Sequence, residues 1–165
     1  MRVDFNQLPD HARVWIYAAA KPLTPEQAAQ IQQQGDDFAE QWTAHQMPLK
    51  ASFTIIDEHF LVFGVDVAHH DISGCGIDKS VRLVQDWEQT LGIPLFNRLQ
   101  IELKSADKTQ VTTKTQVAEW LQQQTITPQT LFYNKLVQNV GELKSAFLVP
   151  LEQMWFYPQL VKQTA

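Results

Sequence analysis

The chain lacks most of the features by which a sequence announces a function. It holds one cysteine in 165 residues. A lone thiol closes no internal disulfide, so nothing marks an exported, cross-linked framework. Its six glycines stand at 35, 64, 74, 76, 92 and 141. No G-x-x-x-x-G-K-[ST] can be built from them, which excludes a phosphate-binding loop of that type. Gly74 and Gly76 begin a G-x-G-x-x-G, but Lys79 stands where the third glycine belongs. No G-x-S-x-G occurs either, so neither a nucleotide cofactor nor any other cofactor is indicated. Lysine and arginine nowhere form a run, and 13 basic residues face 18 acidic ones for a net charge of -5. Nucleic acid is therefore not expected as a partner, because phosphate neutralisation needs a basic patch. The longest apolar runs, such as FLVFGV, fall far short of the ~20 residues that span a bilayer. The opening MRVDFNQLPDHARVW has no apolar stretch of secretory-leader length. These absences together predict a cytoplasmic chain without membrane insertion.

What is present suits a globular α+β domain. Hydrophobic residues make up 44% and charged ones 19%, and a chain of this length buries a core without disulfides or metals. Residues 14–20 (VWIYAAA) read as a strand. Thr24, Pro25 and Gln27 form a helix-start signature, and Ala28, Ile31, Phe38 and Trp42 then recur at helical spacing to about Ala44. Gly35 interrupts that helix at a cost of roughly 1 kcal/mol relative to alanine. LKASFTII alternates and reads as a half-buried strand. Residues 57–59 read as a solvated hairpin tip, and FLVFGVD (60–66) as a central strand covered on both faces. Ile77, Val81, Val84, Glu88 and Leu91 mark a second helix that stops at Gly92. RLQIELK (98–104) alternates as a fourth strand. Strand, helix, strand, strand, helix, strand is the ferredoxin-like βαββαβ order, with one antiparallel sheet and both helices on one face. Residues 105–165 read as a helical extension of the same single domain. A capping pair at Thr113 and Gln116 starts one of its helices. Leu131, Phe132, Tyr133, Leu148, Trp155 and Phe156 require burial, on the open sheet face or at a homodimer interface. The five tryptophans read as core.

HHDISGCGID (69–78) is the stretch richest in chemistry. The expected topology brings His45, Lys50, Asp66 and residues 67–76 to one sheet edge, with His11 and Arg13 approaching it. Lys21, Asp57, Glu58, His59, Asn97 and Arg98 gather at the opposite edge. Ser73, Gly74, Cys75 and Gly76 precede a helix, whose free N–H groups and dipole favour an anion. Ser73, Gly74, Gly76 and Asp78, with Asp66, His69 and His70, are thus candidate ligand-binding residues for a small anion. A thiol at that position has a lowered pKa, which makes Cys75 a candidate nucleophile with His45 or His69 as base. Plainer roles suit the same residues. Ser73 and Asp66 serve as caps, the glycines as turns, Cys75 as a small buried residue, and Asp78 as a first-turn carboxylate. No metal site is indicated, because adjacent histidines point apart and no H-x-x-x-H or C-x-x-C pair accompanies them.

Several segments together, VWIY, QWTAH, PLKASFTI, SGCGID, ITPQTLFYNKLV and PLEQMW, carry a resemblance that spans roughly residues 13–157. The chain resembles a family of small uncharacterised bacterial proteins, common in Bacteroidetes and often labelled "ABC transporter ATPase". The missing phosphate loop does not support that label. The family motif reads S-G-C-S-I-D, and Gly76 here replaces its second serine, so no hydroxyl is available at that position.

Two readings of function follow. The first is a small ligand-binding or regulatory module with an anion-binding helix start at Ser73–Asp78. The second is a thiol-dependent enzyme built on Cys75 and His45, with the backbone amides of 74–77 as an oxyanion hole. A homodimer through the aromatic C-terminal segment is a third, structural possibility.

Overall fold

A computed structural model describes residues 1–44, 46–67 and 74–164. In chain order the elements are β1 (Arg13–Ala18), α1 (Pro25–Gln41), β2 (Thr43–Ala44), β3 (Met47–Pro48), β4 (Ala51–Ile56), β5 (Phe60–Val65) and α2 (Gly74–Leu91). Then come β6 (Ile101–Ser105), β7 (Lys108–Thr112), α3 (Lys114–Gln122), β8 (Leu131–Tyr133), α4 (Val140–Ala146), β9 (Leu148–Pro150) and α5 (Tyr157–Thr164). The fold is α+β, as the sequence predicts.

The first sheet has the order β1-β5-β4, antiparallel throughout. All six residues of β5 are buried, which is why its hydrophobic run is unbroken: it has a neighbour on each side and a covered face above and below. On one face lie α1 and α2, packing Ile31, Trp42, Val84 and Trp87 against Phe53 and Phe63. Trp87 donates its indole N–H to Gln34 Oε1 at 2.6 Å and ties the two helices together. On the other face, Val14, Phe60 and Val62 meet Tyr133, Val137, Val140 and Phe147. Of the C-terminal residues expected to be buried, Tyr133 and Leu148 close this face; Phe132 and Phe156 are buried in a separate core, and Leu131 and Trp155 stay exposed.

The fourth expected strand departs from the ferredoxin-like sheet. β6 does not ladder with β1 but joins a second antiparallel sheet of order β7-β6-β8-β9. Residues 105–165 are accordingly not a purely helical extension. They contribute three strands, of which β8 and β9 have three residues each, too short for alternation to register. α3 and α5 cover this sheet around Val117, Phe132, Phe156 and Leu160.

Local signals fare well at helix ends. Thr24 accepts from Gln27 N–H at 3.2 Å, and Gln27 Oε1 accepts from Thr24 N–H at 3.0 Å. Thr113 accepts from Gln116 N–H at 3.3 Å. Gly92 takes φ +65° past the end of α2, where a side chain is disfavoured. α1 stops at Gln41 rather than Ala44, because Trp42 turns extended. The 57–59 hairpin is solvated at Asp57 and Glu58, which are exposed, but not at its third residue. His59 is 4% exposed, and Asp57 accepts from the Tyr133 hydroxyl. Asp57 and Glu58 both take left-handed backbone, with φ 51° and 60°. Left-handed backbone of this kind follows the right-handed twist of the flanking strands in this three-residue connection, where Ile56 pairs with Phe60. Trp42 and Trp87 are core, but Trp155 is 58% exposed.

Candidate functional site

The sheet edge expected to gather the polar residues does gather those that are described. Asp66 N–H donates to Lys50 O at 2.9 Å, continuing the β4–β5 ladder by one step. His11 Nε2 lies 3.3 Å from Asp66 Oδ1. The buried Trp42 indole donates to Gly76 O at 2.9 Å, and Lys79 Nζ donates to Thr43 Oγ1 at 3.4 Å. Both bonds dock the start of α2 on the segment after α1, across 34 and 36 residues of chain. Asp78 faces solvent. His45, His69, His70, Ser73 and the Cys75 side chain lie outside the described residues. Among the described residues, no group of three or more His, Cys, Asp or Glu is arranged to hold a metal ion.

A second constellation lies where the two sheets meet, and the sequence did not single it out. Strand alternation on RLQIELK places Gln100 and Glu102 on an outer face. Instead both faces of β6 are covered: Ile101, Glu102 and Leu103 are all buried, and the Glu102 side chain has no exposure. Its partner is Lys135, from the loop after β8. Lys135 Nζ sits 2.8 Å from Glu102 Oε1. Its aligned hydrogen bonds go instead to Glu102 Oε2 at 3.0 Å and to Gln100 O at 2.9 Å. Oε1 is thus held by charge at short range but receives no aligned donor. Gln100 Nε2 donates to Glu102 Oε2 at 2.7 Å and to Ala19 O at 3.1 Å, joining this cluster to the end of β1.

The pair forms part of the wall of a cavity of about 200 Å³. Around it stand Leu99, Leu136 and Trp155, at 81%, 63% and 58% exposure. Arg98, Lys114 and Lys135 are the cations of its lining and Glu102 its single carboxylate. Three large apolar side chains left in water around one concavity are unusual for a monomer surface that has no use for them. Neither the ion pair nor the exposed leucines had a sequence signal: the pair spans 33 residues, and Leu99 falls in a strand that alternates. Next to it, Tyr133 donates to Asp57 Oδ2 at 2.5 Å and lies 3.1 Å from Thr109 Oγ1. Burial first, and the bond to Asp57 second, push the Tyr133 hydroxyl up to about 12.

Among the described residues no helix is long and apolar enough to cross a membrane. No protein-family model matches the chain, and no curated protein or solved structure does so either.

Proposed function

We propose that the protein is a small ligand-binding module and that its ligand sits in the cavity between β6, the loop after β8 and the segment before α5. The observation that carries this reading is the ring of exposed Leu99, Leu136 and Trp155 around a wall that contains the Glu102–Lys135 pair. A buried ion pair is a poor device for stability, since removing two charges from water costs nearly all that their attraction returns. It is better suited to holding a lysine in a fixed place. An apolar cavity of about 150 Å³ takes up a benzene molecule, so this one fits a single ring or a chain of similar bulk. With Lys135 paired to the lone carboxylate, Arg98 and Lys114 leave the lining net positive, so an acidic head group suits it best. The ligand class is therefore a small amphiphilic carboxylate.

Calorimetric titration with octanoate, octanol and octylammonium tests this. Octanoate is expected to bind more tightly than the alcohol, and the ammonium least. Leu136→Asp is expected to abolish the heat without changing the fold, because the side chain is exposed. Absence of binding by all three overturns the reading.

The helix start at Ser73–Asp78 supports a second reading, an inorganic anion held by backbone amides of α2. What favours it is the Trp42–Gly76 bond, which fixes the first turn of α2 on the sheet edge. Protection of Cys75 from iodoacetamide by phosphate is the expected result. An alkylation rate independent of phosphate removes this reading.

A further inference from the structure

β6 belongs to the second sheet, so β1 is an edge strand of the first. One end of that edge is closed. Val14 N–H donates to Gln138 O at 3.0 Å and Val140 N–H to Ala12 O at 2.9 Å, so residues 138–140 pair with 12–14. The other end is closed by Ala20 N–H donating to Pro94 O at 3.1 Å. The stretch between is open. Val14 turns its N–H away from β5, while Ala19 donates to His59 O at 2.7 Å on the β5 side. Alternation along an antiparallel strand then sends the N–H and C=O groups of Ile16 and Ala18 outward with Val14. Among the described residues, nothing hydrogen-bonds to the outward N–H of Ile16 or Ala18.

Space lies against this open edge. A cavity of about 380 Å³ runs beside residues 13–16, and one of about 620 Å³ beside residues 16–18. Both are bounded across the gap by Lys135 and Leu136, so the two form one trough along β1. Its cations are Arg13, Arg98 and Lys135, the last also paired with Glu102 from behind, and no Asp or Glu lines either part. In a chain of net charge -5, a trough lined by one sign is a local exception. Its apolar floor includes Phe96, 37% exposed and packed edge-on to Tyr17 with ring centroids 5.5 Å apart.

We infer that the open edge of β1 is a docking site for an extended acidic peptide segment of a partner protein, which adds a strand beside Val14–Ala18. Backbone pairing supplies the register, as in other strand-addition modes. The one-signed lining selects acidic side chains. An unpaired edge otherwise invites promiscuous association, and here positive charge limits what enters. A second copy of this chain fits poorly, because two-fold antiparallel pairing of β1 with itself would bring the positively charged lining of both troughs together. The gap admits roughly five residues, about 17 Å of extended chain.

The test uses fluorescein-labelled hexapeptides alternating aspartate and valine, read by anisotropy against the full chain. The acidic peptide is expected to bind, and its lysine-for-aspartate counterpart is not. N-methylation of one alternate set of amides is expected to weaken binding about tenfold or more, and of the other set to leave it unchanged, since only one set can face β1. Arg98→Glu is expected to weaken binding about fivefold. Ile16→Pro removes an outward N–H that β5 does not use, and is expected to abolish binding. If that variant fails to fold, the two methylated peptides carry the same question. Equal binding of both methylated forms overturns the inference, as does equal binding of the lysine peptide or none by the acidic one. Sedimentation showing a dimer that Ile16→Pro dissociates would give the edge to a second copy and overturn it too.

Discussion

Lys135 lies 2.8 Å from the fully buried carboxylate of Glu102 and is itself partly exposed. The two residues occupy different elements of the second sheet region, so the bond closes β6 onto the loop after β8. Removing the lysine alone strands a charge in the interior. Lys135→Met is therefore expected to cost about 3–5 kcal/mol. The double variant Glu102→Leu/Lys135→Met is expected to recover most of that loss, because paired apolar replacements of similar volume are often neutral. Urea denaturation of the three proteins checks both statements. A single variant as stable as the parent would show that the pair does not define the pocket wall.

Gly35 raises the opposite case, a residue whose cost in the helix is required by its neighbour. A Cβ built at Gly35 would lie 2.2 Å from Phe53 Cδ1, with two further ring atoms inside 3.0 Å. Phe53 is 2% exposed and packs against Phe63 and Trp87, so it cannot yield. Helix propensity alone makes Gly35→Ala stabilising by about 1 kcal/mol. Overpacking of this severity is expected to reverse the sign and destabilise by about 1–3 kcal/mol. Thermal melts of Gly35→Ala, and of Gly35→Ala/Phe53→Leu as rescue, decide between the two.

The sequence made the first half of the fold legible because its signals are periodic and local. The Thr24–Gln27 box, the stop at Gly92 and the unbroken run of β5 each depend on neighbours within a turn or a strand. The second half was obscure for physical reasons. Residues 131–133 and 148–150 are strands of three residues, where no period can be read, and their partners are set by tertiary packing. Glu102 sits in an alternating strand and is nonetheless buried, because Lys135 arrives from 33 residues away. Trp155 read as core, yet at 58% exposure it borders the cavity. A large aromatic side chain is equally suited to a core and to a binding rim, and only the fold separates the two.

Trp42 carries the link between the halves of the first sheet edge. Its indole N–H donates to Gly76 O from a position 1% exposed. Trp42→Phe keeps most of the ring contacts with Phe38 and Phe63 and removes the donor. A loss of about 1–3 kcal/mol is expected from a buried bond left unmade. The effect should concentrate at the start of α2. Amide exchange at residues 76–80 is expected to accelerate more than at 84–90, as measured by mass spectrometry. Uniform acceleration would mean that the bond supports the whole core and does not pin the helix start in particular.

Tyr133 predicts how the fold responds to alkali. Its ordinary value of 10.0 is raised to about 12, first by burial and then by the hydrogen bond to Asp57. The protonated phenol is thus favoured by the folded state. Its contribution to stability is fully present below pH 10 and is lost as pH rises from about 10 through about 12. Tyr17 is also raised by burial. Absorbance titration at the tyrosinate band is expected to show a late step, coincident with loss of the fold signal. Tyr133→Phe should remove that step. It should also flatten the decline in stability between pH 10 and 12, at the cost of lower stability at neutral pH, where Asp57 loses its donor. An unchanged alkaline profile in Tyr133→Phe would mean that the phenol ionises without resistance from Asp57 and its surroundings.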